Sequence, residues 1–421
     1  MKVIYDISML GGSPQKNEAR GGIFRMVRNV AIKLTEVPDC DVVFSATNNT
    51  GESLNYLRQN ASLAAAKVSV TRMKKWVGGN KVVFKKQFHF DRGKELPLRN
   101  LRKPLGSLYR AFESLFDPIE NRVLGGAQIF HSTFYSIPRQ VRRMKGIKQF
   151  LTVYDLNPLL YPTISAMSSK EFIKILKSAN DDGYFFCVSE STRKDLCETL
   201  QVDPARVFVT YGAASRELFY PSAEPDKLNF LRKKYRLPNA LYLLSLGLFE
   251  PRRNIFQSLR CFARLVEQGE LQGVHFVLAG VNGWGSEKLF RYVEQHDVLK
   301  ARVSFTGYVD EEDLAVLYSG ALAFVYPSFY EGFGLPLLEA MQCGTPVIAS
   351  NTSSMPEVVG EGGVLVSPND TDALCRAILK IVQEPVLRDA LSKNAIQQAA
   401  KFRWEKTTEE IIAAYKWAIS N

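Results

Sequence analysis

Residues 321–349 read ALAFVYPSFYEGFGLPLLEAMQCGTPVIA, and this stretch decides the fold class. Its apolar beginning and its apolar end each predict a buried strand, and the segment 336–342 between them predicts a helix. The loop that enters the helix carries Gly332 and Gly334, which allow the backbone to approach a ligand closely. Strand, loop, helix and strand in this order form one parallel βαβ unit.

The same alternation continues on both sides of this unit. In the first half of the chain, apolar runs predict strands at 3–7, 42–44, 128–130, 150–153, 184–188 and 207–209. In the second half, strands are predicted at 241–246, 274–279 and 303–305, with helices beginning near Ile255, Ser286 and Glu311. Only helices are predicted after residue 349. We therefore predict an α/β fold of two Rossmann-like domains, whose parallel sheets face each other across a cleft.

A polar stretch separates the two halves. Gly212 follows the strand at 207–209, and Pro221 and Pro225 come next, a composition typical of a linker. We predict an N-terminal domain over 1–215 and a C-terminal domain over 222–400. A ligand is expected outside the carboxyl ends of the strands, in the cleft.

The composition is that of a globular protein, with 46% hydrophobic residues in 421 positions. The six cysteines include no C-x-x-C pair, so we expect neither a disulfide framework nor a zinc site. The sequence starts without the features of a signal peptide, and no apolar run approaches the roughly 18 residues of a membrane span. We expect a cytoplasmic protein, soluble or peripheral on the inner face of the plasma membrane.

One segment carries nearly all of the net charge of +11. Residues 67–107 contain twelve lysines and arginines and two acidic residues, Asp91 and Glu95. Basic and apolar residues interleave there, which suits an anionic membrane surface or a phosphorylated acceptor. A solvated insertion is an equally open alternative. Nucleic acid is not expected as a partner, because no RNA- or DNA-binding module accompanies the segment.

The loop and helix at 331–342 predict an anion site. The first N–H groups of a helix are unpaired, and its dipole places about half a positive charge there, so this end favours phosphate. Glu331 precedes the helix and Glu339 lies on its second turn, so both can reach a ligand over the terminus. Taken alone, Glu331 is equally well explained as part of an ordinary loop, and Glu339 as a solvated residue on the face of the helix.

The string at 326–350 resembles, nearly residue for residue, the E-x7-E signature of family 4 glycosyltransferases, especially bacterial enzymes of envelope-polysaccharide synthesis. The segment 245–254 resembles the loop of that family that ends in Pro-Arg-Lys-Asn. The likeness covers 240–421 strongly and 1–215 in patches. It implies the GT-B architecture, with the sugar-nucleotide donor on the C-terminal domain and a helix at 401–421 that returns to the N-terminal domain.

The resemblance also implies roles for individual residues. Arg252 and Arg253 would grip the donor diphosphate, with Arg253 where the family usually has lysine, a change that keeps the charge and alters the geometry. Glu331 would contact the donor sugar near its reacting end, and Glu339 would accept the ribose hydroxyls. The expected donor-binding residues are Gly21, Gly22, Gly247, Tyr308, Val309, Gly332, Phe333, Gly334, Leu335 and Glu339.

Acceptor-side residues are expected from the segments Phe130–Tyr135 and Thr152–Pro158. The candidates in these segments are His131, Thr133, Tyr154 and Asp155. The sequence departs from the family here, because several relatives place a histidine where this chain has Thr133, and others read His-Asp where it has Tyr154 and Asp155. His131 is nearby, although a lone histidine after a strand is more often a structural residue.

The resemblance implies transfer with retention of anomeric configuration. GDP-mannose is the first candidate donor, and a lipid-linked or polysaccharide intermediate is the expected acceptor. No cofactor and no metal are expected, because cationic side chains and the helix terminus would stabilise the leaving diphosphate. Asp39 and Asp41 form a D-x-D pattern like that of metal-dependent glycosyltransferases, which we interpret as chance because Asp41 opens a strand.

Three other interpretations compete with this one. A sugar-nucleotide epimerase would use a similar scaffold, and an inactive glycosyltransferase-like scaffold would bind partners through its basic segment. A phosphorylase would need a pyridoxal lysine site, which the sequence does not reveal. An NAD-dependent dehydrogenase is not favoured, because no G-x-G-x-x-G with a downstream ribose-binding acid follows the first strand.

Overall fold

The computed structural model describes residues 1–11, 21–89, 116–165, 167–222, 224–283 and 285–421, with backbone only for 81–89 and 164. Within these residues the chain forms two six-stranded sheets, and every pair of neighbouring strands is parallel. The predicted α/β fold with two Rossmann-like sheets is confirmed.

The first sheet has the strand order β2-β1-β3-β4-β5-β6. Its strands are β1 Lys2–Asp6, β2 Asp41–Ser45, β3 Ile129–Ser132, β4 Lys148–Val153, β5 Tyr184–Cys187 and β6 Val207–Val209. The second sheet has the order β12-β11-β10-β7-β8-β9. Its strands are β7 Leu241–Leu246, β8 Val274–Ala279, β9 Val303–Gly307, β10 Ala323–Tyr326, β11 Val347–Ser350 and β12 Gly363–Val366.

Helices connect the strands and cover both sheets. In the first half they are α1 Ser8–Gly11, α2 Gly22–Thr35, α3 Thr50–Gln59, α4 Arg72–His89, α5 Asn121–Leu124, α6 Arg139–Arg142, α7 Asn157–Leu160, α8 Ser169–Leu176 and α9 Glu190–Leu200. In the second half they are α10 Pro225–Tyr235, α11 Ile255–Glu267, α12 Ser286–Glu294, α13 Asp297–Arg302, α14 Leu314–Ser319, α15 Leu335–Gln342, α16 Met355–Val359, α17 Thr371–Gln383, α18 Pro385–Ala399 and α19 Trp404–Ser420. Short 3-10 turns lie at Pro162–Ile164, Lys177–Ala179, Pro204–Arg206, Pro251–Arg253 and Glu311–Asp313.

The strand orders place one topological switch point in each sheet. In the first sheet the order reverses between β1 and β3, and in the second it reverses between β7 and β10. Connections leave the two strands of such a pair toward opposite faces, so a crevice opens at their carboxyl ends. The loops after β1, β7 and β10 are therefore the ones that the fold presents to a ligand.

The C-terminal helix packs on the first sheet rather than on the second. The Tyr415 hydroxyl of α19 lies 2.5 Å from Nδ1 of His131 in β3, and the Thr407 hydroxyl donates to the Tyr211 carbonyl over 2.6 Å. Lys33 of α2 pairs with Glu405 of α19 at 3.0 Å. The helix therefore contacts the half of the chain that is distant in sequence.

Several local predictions were wrong. Strand β12 lies in a region predicted to be helical, since Gly362 and Gly363 shorten the apolar run that forms the edge of the sheet. The predicted helix at Glu311 begins as a 3-10 turn, and α14 starts at Leu314. The side chains of Cys261 in α11 and Cys375 in α17 lie in contact, a pairing that the sequence does not predict. In the described residues, no helix has both the length and the apolarity to cross a membrane.

Candidate active site

A cavity of about 780 Å³ lies between the carboxyl ends of the two sheets. The N-terminal half contributes Gly21, Gly22 and Arg25 to its wall, and the C-terminal half contributes the remaining lining residues. Eight predicted site residues line this cavity, namely Gly21, Gly22, Gly247, Arg253, Tyr308, Val309, Leu335 and Glu339. The structure thus brings together residues that are separated by up to three quarters of the sequence.

The N-terminus of α15 forms one wall of the cavity. Gly334 is the residue before the helix and has φ +109°, a backbone conformation that residues other than glycine rarely adopt. Gly22 packs against the same turn so closely that a Cβ atom there would lie 3.0 Å from Cδ1 of Leu335. The two glycine loops therefore face each other across the opening of the helix, where its dipole favours an anion.

Arg252, Arg253 and Glu331 form a buried ionic trio beside this helix. Nη1 of Arg252 lies 2.6 Å from Oε2 of Glu331, and Nη1 of Arg253 lies 3.6 Å from Oε1. Nη1 of Arg252 also donates to the Tyr330 carbonyl over 2.6 Å. Both arginines come from the 3-10 turn after β7, and the glutamate comes from the loop after β10, so the switch point of the second sheet brings them together.

Burial and the ion pairs within the trio shift the pKa values of Glu331 and Arg253. Burial raises the pKa of Glu331, but the stronger combined effect of Arg252 and Arg253 lowers it below its usual range. Burial lowers the pKa of Arg253 more than Glu331 raises it. A buried guanidinium of this kind remains charged and gains from an anionic partner, so a diphosphate in the cavity would be held by preorganised positive charge.

Gly247 makes room for Arg253. It has φ +137°, and a Cβ atom at this position would lie 3.2 Å from the guanidinium carbon of Arg253. The guanidinium is also stacked 4.8 Å from the ring centre of Tyr326 and bonds its hydroxyl. Arg253 is therefore fixed between the ends of β7 and β10, with its side chain at the cavity wall.

Glu339 lies at the floor of the cavity and is only 1% exposed. Arg25 of α2 donates to Oε1 of Glu339, and the Tyr318 hydroxyl donates to Oε2 over 3.1 Å. Nε of Arg25 also lies 3.1 Å from Oε1 of Glu311. Sequence reasoning had assigned no role to Arg25, although its place in the first turn of α2, three residues after Gly22, marks it as a cleft residue.

The other end of the cavity is lined by backbone-rich turns. Gly307 ends β9 and is followed by Tyr308 and Val309, and Gly280 follows β8. The Gly280 N–H donates to the Gly307 carbonyl over 2.9 Å, which ties the two turns together. Tyr308 and Val309 therefore lie on the cavity wall, and their contact with a donor remains a prediction.

The loop between β10 and α15, residues 327–334, is called the signature loop below, and the turn before α16 holds it in place. The Ser354 hydroxyl donates to the carbonyls of Glu331 and Phe333, both over 2.8 Å, and the Glu331 N–H donates to the Ser353 hydroxyl over 3.0 Å. The serine pair after β11 therefore fixes the backbone of the predicted catalytic glutamate.

Residues of the N-terminal half form hydrogen bonds with the signature loop from the opposite side. The hydroxyls of Ser189 and Thr192 donate to the Gly332 carbonyl over 2.6 and 3.1 Å. Glu357 of α16 accepts from the N–H groups of Glu190 and Ser191 at the start of α9, over 2.9 and 2.8 Å. These contacts close the two halves against each other near Glu331.

The predicted acceptor-side segment after β4 touches the signature loop. A Cβ atom on Gly332 would lie 1.7 Å from the Tyr154 carbonyl oxygen, so only glycine fits there. The Tyr330 hydroxyl accepts from the Leu156 N–H over 3.2 Å. Burial raises the pKa of Asp155, and the nearby Arg252 partly opposes this shift. Tyr154 and Asp155 are therefore next to the ionic trio, and their contact with an acceptor remains a prediction.

His131 and Thr133 are buried in the first sheet, contrary to the expectation that they face an acceptor. Nδ1 of His131 contacts the Tyr415 hydroxyl at 2.5 Å and Nε2 contacts the Thr152 hydroxyl at 2.7 Å, so both ring nitrogens are occupied. Burial lowers the pKa of His131 to about 3. The Thr133 hydroxyl donates to the Asp6 carbonyl over 2.8 Å. These contacts indicate that both residues have a structural role.

The structure also differs from the prediction that Phe333 binds the donor. Its ring packs 6.0 Å from that of Tyr211 and 5.7 Å from that of Phe402, where the chain crosses back toward the first sheet. The side chain therefore supports the junction of the two halves instead of facing the donor cavity.

The described residues contain no cluster of three or more His, Cys, Asp or Glu that could hold a metal ion. Asp41 of the D-x-D pattern opens β2 and pairs with Lys67 at 2.5 Å. This position lies at the amino end of a strand, whereas the cavity lies at the carboxyl ends.

The basic segment 67–107 is described only in part. Within it α4 begins at Arg72. Arg72, Met73, Lys75 and Trp76 are exposed there, whereas Lys74 is buried and donates to the Thr47 carbonyl over 2.9 Å. Side chains from 81 to 89 and all of 90–107 lie outside the described residues, as does Trp284.

Comparisons with known proteins agree with this geometry. The family model for glycosyl transferases group 1 matches residues 229–398. O-antigen chain mannosyltransferase B of Escherichia coli is 33% identical over 290 residues, which are 68% of this chain and 74% of that protein. A serotype-specific mannosyltransferase of Escherichia coli is 30% identical over 272 residues, which are 64% of this chain and 33% of its own length. Sucrose-phosphate synthase from Thermosynechococcus elongatus has the same fold, with a TM-score of 0.70 at 21% identity over 100% of this chain and 99% of that chain.

Proposed function

Because this chain belongs to the glycosyl transferases group 1 family and is therefore a sugar-transferring enzyme, we propose that its donor is GDP-mannose. The acceptor that we propose is a lipid-linked or polysaccharide glycan of the bacterial cell surface. Mannose is favoured because both relatives described above are mannosyltransferases, and an O-antigen type of acceptor is favoured by the name of the first. A nucleotide-sugar donor and a glycan acceptor are the general substrates of such an enzyme.

One observation carries the donor site. Arg253 and the start of α15 line one cavity, and Glu331, which is ion-paired with Arg252 and Arg253, lies directly behind this wall, although these residues come from three separate segments of the second half. Two guanidinium groups and a helix N-terminus form a site that complements a diphosphate. Glu339, near the base-side turns, would accept hydroxyl groups of the ribose, so the nucleotide would extend from the arginines toward Val309.

The proposed reaction retains the anomeric configuration. The bond between C1 of the sugar and the diphosphate oxygen breaks, and a bond forms from C1 to an acceptor hydroxyl on the same face. The acceptor proton passes to the departing diphosphate oxygen. Arg252 and Arg253 stabilise the charge that grows on this oxygen, and a single donor of this type is commonly worth about 3 kcal/mol of the barrier. Glu331 orients the sugar and stabilises positive charge near C1.

No metal ion is part of this proposal. Positive charge for the leaving group is supplied by Arg252, Arg253 and the helix terminus, which would perform the task that Mg²⁺ performs in other enzymes. Transfer should therefore proceed at an undiminished rate after exhaustive treatment with EDTA.

A membrane surface is the proposed location of the acceptor. At the start of α4, Met73 is 46% exposed and Trp76 is 62% exposed, and Arg72 and Lys75 lie beside them. Apolar side chains that can enter the interface, flanked by cations that attract anionic headgroups, are typical of peripheral membrane helices. This surface would hold the enzyme near a lipid-linked substrate.

The test is a transfer assay with purified full-length protein and a panel of nucleotide sugars. The acceptors are lipid-linked and soluble mannose-containing glycans, and products are resolved by mass spectrometry and by NMR of the anomeric linkage. We expect an α-linked mannosyl product and stoichiometric release of GDP. Release of free or epimerised sugar without a glycan product would instead indicate an epimerase, and no turnover with any donor would contradict the proposal.

A further inference from the structure

Arg25 joins the two halves of the molecule across the donor cavity. It lies in the first turn of α2, in the N-terminal half, and its two carboxylate partners, Glu339 and Glu311, lie in the C-terminal half. We propose that Arg25 is a positioning residue for the ribose of the donor, which aims Glu339 at the two ribose hydroxyls from the opposite half. This inference rests on the proposed function and adds a residue to its donor site.

The contacts show that Arg25 is fixed at both ends of its guanidinium. Nη1 bonds Oε1 of Glu339, and Nε bonds Oε1 of Glu311 at 3.1 Å. Its side chain is only 18% exposed, and that of Glu339 only 2%. Burial opposes the charge of Arg25, but the carboxylates of Glu339 and Glu311 raise its pKa above the usual value. A buried charge with two matched partners has little freedom to move.

The acceptor capacity of Glu339 fits a diol. A carboxylate has about four lone-pair positions, two on each oxygen. Arg25 occupies one on Oε1, and the Tyr318 hydroxyl occupies one on Oε2 at 3.1 Å. Among the described residues no other side chain bonds these oxygens, which leaves one position on each, and the carboxylate lines the cavity. Two adjacent hydroxyl groups, as in the 2′,3′-diol of ribose, would satisfy both positions.

The second partner connects ribose recognition to the base-side turn. Glu311 begins the 3-10 turn that follows Tyr308 and Val309, and these two residues line the same cavity as Arg25. Arg25 thus holds Glu339 and the turn after Val309 in one arrangement. Without Arg25, the carboxylate of Glu339 would lose its ion pair and could rotate toward other donors, so the diol would meet a less ordered acceptor.

This account predicts a specific coupling between Arg25 and the ribose diol. The experiment measures, by isothermal titration calorimetry on the full chain, the binding of GDP and of 2′,3′-dideoxy-GDP to the wild type and to Arg25→Ala. If the wild type prefers UDP, the corresponding uridine pair is used. The wild type should bind the ribose form about tenfold or more tightly than the dideoxy form, since hydrogen bonds to a charged group are worth about 1.5–3 kcal/mol.

In Arg25→Ala, binding of the ribose form should weaken about tenfold, whereas binding of the dideoxy form should change less than about twofold. Arg25→Lys should behave similarly, because a single ammonium group cannot bond both carboxylates in the geometry of the guanidinium. It also serves as the second variant if Arg25→Ala does not fold. Lys33→Ala, which removes the ion pairs of the same helix with Glu36 and Glu405 far from the cavity, is the matched control and should bind both nucleotides as the wild type does.

Equal weakening of both nucleotides by Arg25→Ala or Arg25→Lys would overturn the inference, because Arg25 would then act on the phosphates or on the fold. Unchanged binding of both would overturn it as well. In either case, tight binding of GDP or UDP by the wild type would leave the proposed function standing. Absence of nucleoside-diphosphate binding by the wild type would contradict the proposed function itself.

Discussion

The carboxylate of Glu331 lies 2.6 Å from the guanidinium of Arg252, and the loops that carry these two residues follow different strands of the second sheet. Arg253 completes the trio from the other side at 3.6 Å. Glu331 therefore neutralises part of the positive charge of the two arginines. A bound diphosphate would take up part of the positive charge that Glu331 now neutralises, which leaves this carboxylate available to the sugar.

Glu331→Gln tests the role of this carboxylate. The substitution removes a negative charge but keeps the shape, so we expect kcat to fall by about 100-fold or more, because charge near the reacting carbon is lost. GDP should bind as tightly as in the wild type or more tightly, since the carboxylate of Glu331 no longer competes with the diphosphate for the arginines. Steady-state kinetics and calorimetry measure the two effects. An unchanged kcat would contradict the assigned role.

Gly332→Ala tests the contact between the signature loop and the segment after β4. The added Cβ would lie 1.7 Å from the Tyr154 carbonyl oxygen, so the two halves must separate or the loop must shift. We expect a loss of about 1–3 kcal/mol in the free energy of unfolding and a strong loss of activity. Gly79→Ala in α4, where the new methyl group meets nothing within 4 Å, is the control; it should leave activity close to the wild type and should not lower the free energy of unfolding, because a helix favours alanine over glycine. Equal behaviour of the two variants would refute the packing argument.

The pH dependence of stability should report on His131. Burial lowers its pKa from 6.5 to about 3, so below pH 6.5 the unfolded chain binds a proton that the folded chain does not. The free energy of unfolding must therefore decrease as the pH falls from 6.5 toward 3, by up to about 1.4 kcal/mol per pH unit from this residue. Denaturant titrations at several pH values between 7.5 and 5 give the free energy of unfolding at each pH. This free energy should change less steeply with pH in His131→Gln than in the wild type. Identical slopes would show that the imidazole is not buried in its neutral form.

Membrane binding should depend on Trp76. In sedimentation assays with vesicles that contain about 30% anionic lipid, we expect Trp76→Ala to reduce binding several-fold, because its ring would enter the interface. Raising the salt concentration should weaken binding further by screening Arg72 and Lys75. Phe230→Ala removes a ring of comparable exposure, 60%, from the C-terminal half and serves as the control. Equal binding of Trp76→Ala and the wild type would contradict the proposed surface.

The βα alternation and the glycine loop were sufficient to predict the two parallel sheets and the helix start at Gly334. The resemblance to family 4 glycosyltransferases pointed to Arg252, Arg253, Glu331 and Glu339, and the strand ends at the switch point bring the loops and the helix that carry them close together. Arg25 could not be recognised in this way. Its partners Glu311 and Glu339 are 286 and 314 residues away, and only the closed arrangement of the two halves reveals the ion pairs.

Burial explains the residues that were assigned incorrectly. A histidine at the end of a strand can point into the cleft or into the sheet, and the partner that fixes His131 in the sheet, Tyr415, is 284 residues away. The contact of Cys261 with Cys375 is equally non-local, since it joins α11 to α17 over 114 residues. Strand β12 has only four residues and no periodicity that separates it from a short helix.

The central claim is that Arg253, beside Glu331 and the start of α15, holds the diphosphate of a nucleotide sugar. Calorimetric titration of GDP and UDP into the wild type and into Arg253→Ala tests it most directly, with the thermal midpoint of each unliganded protein as the check on folding. We predict one-to-one binding of at least one nucleotide to the wild type, and binding at least about tenfold weaker to the folded variant, since a charged hydrogen-bond donor is lost. Equal affinity of the two proteins, or no binding by the wild type, would contradict the claim.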